Sequence, residues 1–151
     1  ADGDLAILLA GNNYIPDGYI ETAEAFSAYS LLIFGPGALT VKGGQPIYSS
    51  ELAICAGASV TVHGRSWGYS PISGRKLLVS ASSLSVFAPE HSTTGINVDT
   101  VNILGSAVAV FATASGLDSG TIVIDGSVVN ILSEHGAAIS SGTLEIGRAH
   151  V

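Results

Sequence analysis

The chain has 151 residues, 47% hydrophobic and only 11% charged, against about 25% charged in an average domain. That composition excludes a disordered chain, and the length suits one domain with one core over residues 1–151. Asp and Glu number 12 against 5 Lys and Arg, so nucleic acid and anionic membrane surfaces, which need clustered cations, are not expected partners.

The first element in chain order is the apolar pair Leu5/Ile7. The stretch from Tyr19 to Phe26 is the best helix candidate and is expected to form an excursion or a cap of at most two turns. From Leu31 onward one motif recurs: apolar-x-apolar, a short Gly/Ser break, then apolar-x-apolar. The copies are Leu31/Ile33 with Leu39/Val41, Leu52/Ile54 with Val60/Val62, and Leu77/Val79 with Leu84/Val86. Val101/Ile103 with Val108/Val110, and Ile122/Ile124 with Val129/Ile131, follow, and Leu144/Ile146 opens another copy. Successive copies start at 5, 31, 52, 77, 101, 122 and 144, in steps of 21 to 26 residues.

A third apolar position closes each period. Ile47, Ile72, Ile96, Leu117 and Ile139 each lie five residues before the next copy. Three short strands in about 23 residues leave no room for a crossover helix. They fit one turn of a parallel β-helix, each strand pairing with the turns above and below at about 4.8 Å. The predicted fold is therefore all-β, a parallel β-helix of six to seven rungs with three short strands per rung. No apolar run reaches the roughly 20 residues of a membrane-spanning helix. The chain starts at Ala1 and contains no Met, so it reads as an internal segment or a processed product of a longer chain. The single Cys, Cys55, has no intrachain disulfide partner and reads as a small packing residue.

Nearly all length variation falls between the second strand and the third. Those insertions stack along one edge of the rod, and such edges often bind ligands. One loop there runs from His63 to Pro71 and carries Arg65, Trp67 and Tyr69. The next holds Glu90 and His91, and a later one Glu134 and His135. Exposed Trp and Tyr can stack on a sugar face while Arg, His and Glu bond its hydroxyls. His63, Arg65, Trp67, Tyr69, Glu90 and His91 are therefore the candidate carbohydrate-binding residues.

Other chemistry finds little support. No column of the repeat stacks carboxylates, and the histidines lack the spacing of a metal motif. Neither a catalytic residue nor a metal ligand is assigned. Glu51 over Lys76 and Arg75 over Asp99 read as ion pairs between turns. The middle residues of the first strand include Leu32, Leu78 and Val123, which should point outward. They make a candidate self-association stripe. No cap is evident after the last copy, so stacking of β-helix ends into a homo-oligomer or filament is the alternative expectation.

Two segments carry a family resemblance. Ile7-x-Leu9-x-Gly11-x-Asn13-x-Ile15 resembles the opening rung of secreted bacterial β-helix proteins. Leu31-x-Ile33-x-Gly35-Pro36-Gly37-x-Leu39-x-Val41 resembles their L-x-I-x-G-x-G-x-L-x-V rung. The resemblance is to the clostridial type of carbohydrate-binding β-helix domain. It implies a right-handed parallel β-helix, a secreted or cell-surface location, and binding of polysaccharide or a cell-surface glycan without hydrolysis. Calcium accompanies such folds, but no acidic cluster here offers to carry it, and no cofactor is expected. The loops match no family binding motif, so no binding residue is carried over.

Overall fold

The computed structural model describes residues 3–16, 26–65, 69–90 and 93–148. The described strands, in chain order, are β1 (Asp4–Leu8), β2 (Asn12–Ile15), β3 (Phe26–Phe34), β4 (Ala38–Gly43), β5 (Ile47–Cys55), β6 (Ser59–Gly64) and β7 (Ile72–Ser80). They continue as β8 (Ser83–Ala88), β9 (Ile96–Leu104), β10 (Ala107–Ala112), β11 (Leu117–Asp125), β12 (Val128–Ser133) and β13 (Ile139–Ile146). The odd-numbered strands form one seven-stranded sheet and the even-numbered ones a six-stranded sheet. Every ladder is parallel. The molecule is a β-solenoid of about five turns, with no helix among the described residues. The proposed helix from Tyr19 lies outside those residues except for Phe26, which opens β3.

The register is the one the repeat predicts. Leu5, Leu31, Leu52, Leu77, Val101, Ile122 and Leu144 stack as one column. Leu39, Val60, Leu84, Val108 and Val129 stack as another in the even sheet. Inward residues of the middle turns are fully buried, Ile54, Val62, Val79 and Ile124 among them. Burying each such side chain contributes about 1.5–3 kcal/mol. Repetition of similar shapes lets each turn rest on the last without a layer of its own.

The strands divide differently from the prediction. The third strand of each turn does not stand apart but runs into the first strand of the next. Ile47–Cys55 is continuous, as are Ile72–Ser80 and Ile96–Leu104. A bend divides each long strand where two consecutive residues point outward, such as Arg75 and Lys76 between inward-facing Gly74 and Leu77. Inward hydroxyls stitch this bend: Ser49 Oγ donates to the Glu51 carbonyl at 2.8 Å and Ser119 Oγ to that of Thr121 at 3.1 Å. Backbone pairing on both sides of the bend leaves no room for a loop, hence the constant five-residue interval.

The opposite corner, between first and second strands, is held by a serine ladder. The Ser82 N–H donates to Ser106 Oγ at 3.2 Å, and the Ser106 N–H to Ser127 Oγ at 3.0 Å. Each hydroxyl also donates to the carbonyl two residues earlier in its own turn. Polar groups at this buried corner are thereby satisfied, as burial requires.

Candidate functional site

Three outer faces follow from this frame. On the odd sheet, Leu32, Ala53, Leu78, Asn102 and Val123 form one outward column in register. Leu32, Leu78 and Val123 are each half-buried by their neighbours along the ladder. Leu8 and Phe34 stand in register beside Leu32, and Leu104 flanks the column farther along, so this face is largely apolar. On the even sheet, Thr40, Thr61, Ser85, Ala109 and Asn130 line up as a flat, mostly polar column.

Next to that column stands one the sequence reading missed. Lys42, His63, Phe87, Phe111 and Leu132 stack in successive turns. The His63 and Phe87 rings lie parallel, 4.8 Å apart with an 11° tilt. Lys42 Nζ sits 5.7 Å from the centre of the Tyr14 ring. Burial first, and then the nearby Lys42 charge, hold the His63 imidazole below its usual 6.5. His63 was expected in the corner loop. It lies in β6 instead, because pairing of Gly43 with Gly64 extends the strand two residues past Val62. The signal was legible: small residues at Gly43, Gly64, Ala88 and Ala112 continue the inward alternation one step further. Beside Phe87, Phe111 and Leu132 runs an apolar groove of about 390 Å³.

Arg65, Tyr69 and Glu90 lie at the variable corner. Arg65 is exposed just past β6, its backbone N–H donating to the Gly43 carbonyl at 2.9 Å. Tyr69 is 47% exposed. Glu90 is half-buried after β8, and its carbonyl accepts the hydroxyl of buried Thr113 from the following turn. Trp67 and His91 lie outside the described residues. Glu134 and His135 are exposed beyond β12, with 3.9 Å between carboxylate and imidazole. Arg65, Tyr69 and Glu90 thus share one edge, while His63 faces the even sheet's outer surface.

That edge borders a face that sequence reasoning did not single out. On the third-strand segments Ser27, Tyr48, Ser73, Asn97, Asp118 and Ser140 form one outward column. The bend beyond it carries Tyr29, Ser50, Arg75 and Asp99 in successive turns. Tyr48 is 50% exposed and Tyr29 54%. Ser27 and Ser73 flank Tyr48 in its column, and Ser50, Glu51, Arg75 and Lys76 line a depression with Tyr29, whereas the odd sheet's flank is apolar. The residues on either side of each third apolar position held this signal. It becomes readable only once the bend fixes which of them point outward.

One expected ion pair forms and one does not. Lys76 Nζ meets Glu51 Oε1 at 3.2 Å, with both side chains exposed. Arg75 and Asp99 occupy matching positions, but no ion pair joins them. They sit at the bend, where the ladder skips this pair between Gly74–Val98 and Lys76–Thr100. Among the described residues no three His, Cys, Asp or Glu side chains are grouped as a metal site, and no helix is long and apolar enough to cross a membrane.

Comparison with protein-family models, with curated proteins and with solved structures finds no match. The parallel β-solenoid therefore rests on this chain's own repeat and register.

Proposed function

We propose that this solenoid is a non-catalytic glycan-binding module that works outside the cell or on its surface. The observation that carries the reading is the third-strand face. Tyr29, Tyr48 and, at the adjoining edge, Tyr69 are each about half exposed among Ser73, Asn97, Arg65 and Glu90. Exposed aromatic rings on a rigid scaffold stack on sugar faces at little entropic cost, and the polar groups around them can bond hydroxyls. Regular repetition supports a chain-like ligand, since each turn offers a further position along the same face. The family resemblance of the opening rungs points the same way.

A panel of immobilised plant and bacterial polysaccharides tests this. Tyr48→Ala and Tyr69→Ala should each weaken binding about tenfold, as loss of a stacking platform of about 1.5 kcal/mol implies. Far-UV circular dichroism should not change, because neither side chain is in the core. Absence of binding to every member of the panel would sink the reading.

A second reading has one specific observation in its favour. Leu8, Phe34, Leu32 and Leu78 leave an apolar strip on the odd sheet's outer face. Such a strip suits lateral self-association into a structural rod or filament.

A further inference from the structure

We propose that the bend of the third-strand face holds a subsite for an acidic sugar residue, with Arg75 binding its anionic group and Tyr29 supporting its ring. The inference rests on the glycan-binding reading and names the ligand chemistry at one place on it. A depression of about 190 Å³ lies there, lined by Tyr29, Ser50, Glu51, Arg75 and Lys76. Pockets for whole drug-sized ligands run to about 300–1,000 Å³, so this one suits a single ring of a longer chain.

The charge arrangement favours an anion. The chain has only 5 Lys and Arg against 12 Asp and Glu, yet two of its cations are consecutive at this bend. The bend itself puts them there, because both Arg75 and Lys76 point outward where a regular strand would alternate. Lys76 is neutralised by Glu51 at 3.2 Å. Arg75 is ion-paired with no carboxylate among the described residues, although Asp99 stands at the matching position of the next turn. A guanidinium has a planar fork of donors that matches carboxylate or sulfate in two-point contact. The exposed Tyr29 ring, which lines the same depression, offers the apolar face of a sugar its platform, and Ser50 a hydroxyl partner.

The test uses one polymer backbone in three charge states: dextran, carboxymethyl-dextran and dextran sulfate, each immobilised and probed with the whole chain at physiological ionic strength. At least one charged form should bind about tenfold more tightly than dextran, the gain expected of one charge-assisted contact. The form preferred distinguishes a carboxylate from a sulfate. Arg75→Gln should reduce that form to the level of dextran, and Tyr29→Ala should weaken it several-fold. Asp99→Asn should strengthen it by removing a competing negative charge. Arg148→Gln, which removes an exposed cation elsewhere, should change nothing. Equal losses from Arg75→Gln and Arg148→Gln would mean diffuse charge attraction and overturn the subsite. Binding to neutral polysaccharides of the earlier panel, with no gain from either anionic group, would overturn the subsite and leave the glycan reading standing. No binding to any polysaccharide in either experiment would overturn both.

Discussion

Ala81 and Gly105 occupy equivalent corner positions in consecutive turns, with φ of +48° and +54°. That left-handed conformation costs an L-residue about 1–2 kcal/mol, and glycine almost nothing. A methyl group at Gly105 would meet no atom within 4 Å, so its substitution isolates the backbone cost. Gly105→Ala should lose about 1 kcal/mol, and Ala81→Gly should gain about 0.5–1 kcal/mol, both read as shifts of the urea midpoint at constant slope. His63 gives a second residue-level expectation. Its imidazole is held below 6.5 in the folded chain by burial and by Lys42, so the unfolded chain takes up the proton more readily. The stability concerned is complete above the unfolded value and is lost as the pH falls through about 6.5 toward the lower folded value. Melting temperature should therefore drop between about pH 7.5 and pH 5.5, and His63→Phe should flatten the drop while keeping the stack on Phe87. An equal drop in both proteins would mean that other groups cause it.

Among the elements, the odd-numbered strands carry the most consequential choice of outer residues. Leu78 stands between Ala53 and Asn102 on the outer face, two residues from the ion-paired Lys76. If the strip is an interface, sedimentation should show assembly that grows with concentration, and Leu78→Glu should reduce it to monomer. A wild-type chain that stays monomeric over the whole series would remove the filament reading. Glycines also act at this scale. A Cβ at Gly74 would overlap the Ser49 carbonyl oxygen, so this inward position beside the bend admits no side chain where its neighbour in the next turn carries Val98. The strands and their register are legible in the sequence, because a fully buried column demands the same apolar spacing in each turn. Each long strand reads as two, because the apolar pattern skips a beat at the bend and the skip looks like a strand end. Only the backbone ladder, continuous on both sides, reveals one strand.

For the molecule as a whole, the amino-acid sequence by itself determined the architecture. Low charge, a period of 21 to 26 residues and three apolar positions per period leave parallel coiling as the way to bury every copy on the next. Burial is a repeated local requirement, so it is written along the chain. The candidate site was only half legible. Arg65, Tyr69 and Glu90 could be assigned to one edge from loop lengths alone, since insertions at one corner must stack. Tyr29, Arg75 and Lys76 could not be grouped that way, because Tyr29 lies two turns before the other two and all three belong to strands. Their meeting depends on which residues face outward where the alternation breaks. The tertiary structure decided that, through the bend that turns two consecutive side chains to the surface and through the ladder that lays neighbouring turns about 4.8 Å apart.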